Sequence, residues 1–258
     1  LKLENRHVLI TGANRGMGRD FALAAASRRA HLMLPMRNPD LSLVGELQQQ
    51  GAMSVEVEQV DLSDIGAIDN YLNHLNEPVD LLINNAGLLS GGLLEEQDPQ
   101  HIQDTLQVNV GSLIHLTRCL LPQMLKRKSG KIVNNASVSG VMFMPCASTY
   151  AASKAGVVAF TRSLEQELKG TGVSTLLLLT PGVKTDMYDQ IYDEYGGHLD
   201  LSFLTHISSK AWSDRVFQAI DEDKNECGPS SMPNKIGLWL AQHWPSAFNH
   251  FIRKGFRR

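Results

Sequence analysis

The chain is expected to fold as an α/β doubly wound parallel sheet with helices on both faces, and three observations predict it. Short continuous apolar runs recur along the 258 residues, each bounded by turn residues, as in strands buried on both faces. Between them lie helix-period stretches of about ten residues or more, the length that a parallel crossover needs. The first run enters a glycine-rich turn that opens a helix, which is where such sheets hold ligands.

The first strand is expected at 7–10, reading His7, Val8, Leu9, Ile10, and the first helix at 17–29, where alanine is frequent. An apolar run at 31–34, a helix at 41–50, a strand at 54–60, a helix at 65–75 and a strand at 79–83 continue the alternation. Residues 99–128 predict two helices, 131–135 a strand, 150–169 a helix with Ala151, Ala155 and Ala159 on one side, and 173–179 a strand. No linker, repeat or low-complexity segment interrupts the pattern. Residues 1–258 therefore predict one three-layer domain, with 187–207 as a substrate lid hinged at Gly196 and Gly197 and a helical extension at 235–258.

Hydrophobic residues make up 43% and charged residues 20%, enough apolar mass for one sizeable core. A net charge of -3 offers no global basic field for nucleic acid. The three cysteines, Cys119, Cys146 and Cys227, are widely spaced, which argues for a reducing, cytoplasmic setting and against a disulfide framework or structural zinc. No run approaches the length of a membrane span, and the first residues carry no basic-then-apolar signal pattern. Asn135, Ala136 and Ser137 match a glycosylation sequon, but at the end of an expected buried strand the match reads as coincidence.

A strand, a glycine turn and a helix start together make an anion site, because backbone N–H groups and the helix dipole face a diphosphate that glycine lets approach. Here the turn is Thr11, Gly12, Ala13, Asn14, Arg15, Gly16, Met17, Gly18. Gly12, Asn14, Arg15, Gly16, Met17 and Gly18 are its candidate cofactor contacts. In dinucleotide folds an acid about 20 residues further on binds the ribose 2'-OH, whereas arginine accommodates a 2'-phosphate. The second strand ends in Pro35, Met36, Arg37, Asn38, with no acid before Asp40. Arg37, Asn38 and Arg15 therefore point to NADP(H) within a Rossmann-type sheet.

Tyr150 and Lys154 stand one helical turn apart and leave the same face. A phenol titrates near 10 and is a poor acid at neutral pH, but an ammonium beside it favours the phenolate. The ordered set of Thr11, Gly12, Gly16 and Gly18, then Asn84, Asn85, Ala86, Gly87, then Asn109, Ser137, Tyr150, Lys154, Pro181 and Gly182 resembles the short-chain dehydrogenase/reductase family over about residues 3–187. The resemblance implies that Tyr150 exchanges a proton with the substrate oxygen, that Lys154 depresses the tyrosine pKa and holds the nicotinamide ribose, and that Ser137 stabilises charge on the oxygen. Asn109 would position a water between Lys154 and solvent. Asp61, Leu62, Asn84, Asn85, Ala86 and Gly87 would border the adenosine half, and Pro181, Gly182, Val183 and Thr185 the nicotinamide half. The resemblance also implies a homodimer or homotetramer, and a closing strand that in this sequence is short or missing after Asp223; no residue is a candidate metal ligand.

Each residue has a structural alternative: Asn109 as a satisfied helix polar residue, Ser137 as a strand-end cap, Asp61 as the cap of the helix at 65. Ala136 departs from the serine often found there, and Thr185 comes one residue sooner after Pro181 and Gly182 than the commonest spacing. Val141, Met142, Phe143, Met144 and Cys146, with Met187, Tyr188, Ile191, Tyr192 and Tyr195, are expected to form an apolar substrate wall, with ordinary core packing as the alternative. The expected activity is NADPH-dependent reduction of a bulky apolar ketone or aldehyde, or oxidation of the alcohol. Lipid enzymes acting on a hydroxysteroid, a retinoid or an acyl-carrier ketoester are the alternatives within the class. A catalytically silent nucleotide sensor or membrane-docked binding protein is the alternative outside it. The extension at 235–258 carries Lys235, Arg253, Lys254, Arg257 and Arg258 and no acid, +5 against -8 for the rest. With its aromatic residues it suits either packing on protein or peripheral membrane contact.

Overall fold

The computed structural model describes residues 1–202 and 204–258; position 203, inside the expected lid, lies outside the described residues. In chain order the strands are β1 (His7–Ile10), β2 (His31–Met36), β3 (Ser54–Gln59), β4 (Leu81–Asn84), β5 (Gly130–Asn135), β6 (Val173–Leu178), β7 (Val183–Lys184), β8 (Ile207–Ser208) and β9 (Glu226–Cys227). Seven of them form a sheet in the order β3-β2-β1-β4-β5-β6-β9, every pair parallel. The order reverses between β1 and β4, so the crevice beyond their carboxyl ends is the natural ligand position. The expected final strand is present but only two residues long, paired through Leu177 with Glu226 and Leu178 with Cys227.

The helices are α1 (Gly16–Ala26), α2 (Ser42–Gln50), α3 (Ile65–His74), α4 (Pro99–Leu106), α5 (Ser112–Arg127), α6 (Ser148–Glu167), α7 (Asp186–Tyr195), α8 (Ser209–Asp221), α9 (Met232–His243) and α10 (Pro245–Arg253). They flank the sheet because strand side chains alternate between its faces. Val8 and Ile10 join Phe21 of α1, Leu43 of α2 and Trp212 of α8 in one core, whereas Leu9 joins Ile68 of α3, Leu116 of α5 and Leu164 of α6 in the other. Most boundaries lie within two or three residues of expectation. The cap of α3 is a correction: Asp64 accepts from the Gly66 N–H, while Asp61 lies three residues earlier, in the turn.

The two helices expected over 99–128 are α4 and α5, joined by a π turn at Gln107–Gly111 that contains Asn109. Beyond β6 the chain leaves the sheet. β7 pairs with β8, tethering both ends of the segment that carries α7. Gly196 has φ -65 and continues the last turn of α7, and Gly197 is not among the glycines with positive φ, so neither supplies a hinge that only glycine could form. The extension packs on protein. Phe248 and Ile252 of α10 and Ala241 of α9 are buried against Met142 and Met144. Asp200 N–H donates to the Gly255 carbonyl at 2.9 Å and Arg257 N–H to the His198 carbonyl at 2.7 Å, so the end of the chain straps the segment after α7.

Candidate active site

The glycine turn leaves β1 with Gly12 at φ +68 and Gly16 at φ +53, backbone conformations that L side chains rarely adopt. A Cβ on Gly18 would stand 2.0 Å from the Gly12 carbonyl oxygen, so only glycine lets α1 start this close to the turn. Thr11 Oγ1 accepts from the N–H groups of Asn85 and Ala86, both at 3.0 Å, and fastens the loop after β4 beside the turn.

Together these elements form a groove of about 370 Å³ lined by Gly12, Asn14, Arg15, Gly16, Met17, Gly18, Arg37, Asn38, Asp61, Leu62, Ala86, Gly87 and Thr185. All are sequence candidates for a dinucleotide. The residues present fit one: free backbone at a helix start, a glycine cradle, and cationic Arg15 and Arg37 on the same groove. Arg15 Nη1 lies 3.1 Å from Asp186 at the start of α7. The Asp61 carboxyl is held below its ordinary pKa by the Ser63 N–H, then by the Ser63 hydroxyl and the charge of Arg37.

A second cavity, of about 200 Å³, shares Met17, Asn85, Gly87, Thr185 and Met187 with the groove. Ser137, Tyr150 and Lys154 line it, as do Pro181, Gly182 and Val183. Ser137 ends the loop after β5, and its Oγ also accepts from the Ser139 N–H at 3.1 Å, so the capping role and the pocket position coexist. Lys154 is 4% exposed and its Nζ donates to the Asn135 carbonyl at 2.8 Å. Met142, Met144, Met187, Tyr188, Ile191, Tyr195 and Leu204 supply an apolar wall.

This arrangement accords with the comparisons. The short chain dehydrogenase family model matches residues 6–196. The chain belongs to that family.

Among curated relatives, the ketoacyl reductase HetN of Nostoc sp. is 34% identical over 184 residues, 70% of this chain but only 64% of the relative's length. The 3-oxoacyl-[acyl-carrier-protein] reductase FabG of Vibrio harveyi is 30% identical over 196 residues, covering 75% of this chain and 80% of the relative. A short-chain dehydrogenase from Sphingobium yanoikuyae in complex with NADPH superposes with a TM-score of 0.76 at 24% identity, over 94% of this chain and 95% of the other. A second, from Streptomyces avermitilis, gives 0.79 at 23% identity, over 96% and 94%. These two likenesses establish the fold.

Two sequence candidates of this short-chain dehydrogenase lie off both cavities. Asn84 is buried, and its Nδ2 donates to Thr117 Oγ1 at 3.2 Å and Asn134 Oδ1 at 2.9 Å. It belongs to the core, and Asn85, next in the chain, lines the groove instead. Asn109 uses its side chain as a clamp: Oδ1 accepts from Leu88 N–H at 2.8 Å, and Nδ2 donates to the Leu88 carbonyl at 3.0 Å and to Ser153 Oγ at 2.9 Å. Ser153 Oγ in turn donates to the Tyr150 carbonyl at 2.7 Å. Asn109 is thus a positioning residue that ties the loop after Gly87 to the turn of α6 between Tyr150 and Lys154.

Asn135 lines the second cavity without having been a candidate, and Asn85, inside the candidate run from Asn84 to Gly87, lines both cavities. Asn135 Nδ2 donates to Asn85 Oδ1 at 3.0 Å, and Thr180 Oγ1 donates to Asn135 Oδ1, so one buried network joins the ends of β4, β5 and β6. The polar run closing two apolar strands, Asn84–Asn85 and Asn134–Asn135, was the available signal.

The electrostatics revise one expectation. Burial pushes the Tyr150 phenol up to about 12, opposed by its hydrogen bond with Ser137. Burial also pushes Lys154 down to about 8. The Lys154 nitrogen lies 5.8 Å from the Tyr150 ring centre. Desolvation outweighs the attraction by which Lys154 was expected to acidify the phenol. Tyr150 therefore keeps its proton at physiological pH.

Proposed function

We propose that this short-chain dehydrogenase transfers hydride between NADP(H) and a carbonyl or secondary alcohol, with a bulky apolar ketone or aldehyde as the substrate class. The observation that carries the reading is one apolar cavity that exposes Ser137, Tyr150 and Lys154 and shares a wall with the glycine groove.

When bound, NADPH supplies the hydride to the carbonyl carbon. Tyr150 gives its hydroxyl proton to the carbonyl oxygen, so the product is a neutral alcohol. Ser137 donates a hydrogen bond to the same oxygen as charge develops there. Lys154 offers its ammonium to the nicotinamide ribose, and Asn109 with Ser153 holds the helix turn that carries both side chains. The methionine and tyrosine wall excludes water, which strengthens each of these interactions.

Preference for NADP(H) follows from Arg15 and Arg37 on the groove and the lack of an acid at the end of β2. The NADPH held by the Sphingobium yanoikuyae neighbour supports the same choice. The first acid, Asp40, is engaged by the Ser42 N–H at 3.0 Å and by its hydroxyl at 2.6 Å.

The names of HetN and FabG favour a narrower second reading, reduction of a 3-oxoacyl thioester. A panel of aryl ketones, steroid ketones and 3-oxoacyl thioesters assayed with both coenzymes separates the readings. Turnover with NADPH on bulky ketones is expected. Tight NADPH binding without turnover on any carbonyl would make the protein a sensor, and better use of NADH would remove the role given to Arg15 and Arg37.

A further inference from the structure

The α9–α10 hairpin buries only part of its apolar surface. Phe248 and Ile252 face the body at 7% and 6% exposure, but Met232, Ile236, Trp239, Trp244 and Phe251 are 66%, 52%, 53%, 62% and 65% exposed. Met232, Ile236 and Trp239 follow at intervals of four and three residues, so they share one outward stripe of α9. Trp244 stands at the corner between the helices, and Phe251 flanks the buried pair of α10 while staying exposed.

Lys235 and Arg253 are exposed on the same two helices, with Lys254, Arg257 and Arg258 exposed just beyond. Among the described residues Arg258 pairs with the Glu95 carboxylate and the charge of Arg257 reaches that of Asp200, while Lys235, Arg253 and Lys254 pair with none. Residues 235–258 contain no acid.

We propose that this hairpin is a docking surface for an anionic lipid bilayer, with Trp239, Trp244, Ile236 and Phe251 entering the interface and the cations meeting lipid phosphates. Exposed tryptophan beside lysine and arginine on an amphipathic helix is the composition that an interface between headgroups and acyl chains selects. A second copy of the chain fits less well. A two-fold contact through this face would set five cations against the same five. The hairpin also borders the proposed substrate cavity, since Asn234 of α9 lines it and Met142, packed under the hairpin, lines it too. A surface bound to lipid would therefore lie next to an apolar active site. This last link rests on the proposed function; the docking surface itself does not.

Vesicle flotation of the whole protein tests it, using phosphatidylcholine alone and phosphatidylcholine with phosphatidylglycerol. Wild-type protein is expected to float with the anionic vesicles and to lose about tenfold in partition when salt is raised toward 1 M. Trp244→Ala with Phe251→Ala, and separately Arg253→Gln with Lys254→Gln, should each lower partition about tenfold while NADPH binding and melting temperature hold. No flotation with anionic vesicles, or flotation that neither pair of substitutions weakens, would overturn the proposal. So would a sedimentation dimer that dissociates on Trp244→Ala with Phe251→Ala, because the face would then be a subunit contact. If the substituted proteins fail to fold, tryptophan emission of the wild type decides. Trp212 is fully buried, so a blue shift on adding anionic vesicles reports Trp239 and Trp244. An unshifted spectrum would sink the idea, and a shift with failed NADPH binding in the same sample would leave docking standing while removing the enzymatic reading.

Discussion

The two walls of the cleft are built by different physics. The inner wall is made of strand ends: the turn after β1, the loop after β4, and the termini of β5 and β6, tied by Thr11, Asn85, Asn135 and Thr180 in buried and partly buried hydrogen bonds. The outer wall is made of α7, the segment after it and the α9–α10 hairpin, held by methionine, tyrosine and phenylalanine contacts and by surface ion pairs such as Arg15 with Asp186. Buried polar networks fix geometry because a displaced donor or acceptor is left unpaired. Methionine contacts reshape at little cost. Under the proposed function, proton transfer falls to Tyr150 and Lys154 of α6, which Lys154 ties to the inner wall through the Asn135 carbonyl, and substrate choice falls to the outer wall.

Substitutions should separate the walls. The largest effect is expected at Tyr150→Phe, which removes the proton donor and should lower kcat by about 10³-fold or more, leaving NADPH affinity within about twofold by fluorescence titration. A residual rate near wild type would place the donor elsewhere. Lys154→Met should cost about 10²-fold in kcat/KM and also weaken NADPH binding, since one ammonium serves both.

Arg37→Ala should raise the KM for NADPH by about tenfold and that for NADH far less, because only the former presents a 2'-phosphate. Equal changes for both coenzymes would detach Arg37 from that phosphate. The pH profile gives a graded test. Lys154 is lowered to about 8 and is charged below that value, whereas Tyr150 keeps its proton to about 12. Reductive kcat/KM of the free enzyme should therefore be flat through neutral pH and fall as pH rises through about 8, by about tenfold per unit. Lys154→Arg should shift that fall upward, since arginine does not titrate there.

The inner wall was also the part most legible in the sequence. Gly12, Gly16 and Gly18 could be placed because their backbone needs are local, and Tyr150 with Lys154 because one helical turn fixes their face. The error at Asn84 has a physical cause. β4 is buried on both faces, so Leu81, Leu82 and Ile83 show no alternation that would reveal which asparagine faces the crevice. Asn109 was read as holding a water beside Lys154, with a satisfied helix polar residue as the alternative; its side-chain partners, Leu88 and Ser153, are distant in sequence, so neither could be named from it. On the outer wall the amphipathic pattern of 235–258 showed an apolar face but not what covers it. Phe248 and Ile252 found Met142 and Met144, while Trp239 and Trp244 stay 53% and 62% exposed among the described residues.

The smallest expected change in rate belongs to the outer wall, and it tests the division most directly. kcat and kcat/KM would be measured for ketones of rising alkyl length on the wild type and on Met142→Ala with Met187→Ala. The two-wall account predicts that the substitutions shift the preferred ketone to a longer chain, with kcat on that ketone within about threefold of wild type. A collapse of kcat on every ketone, with NADPH still bound, would contradict it, because the outer wall would then be carrying the chemistry.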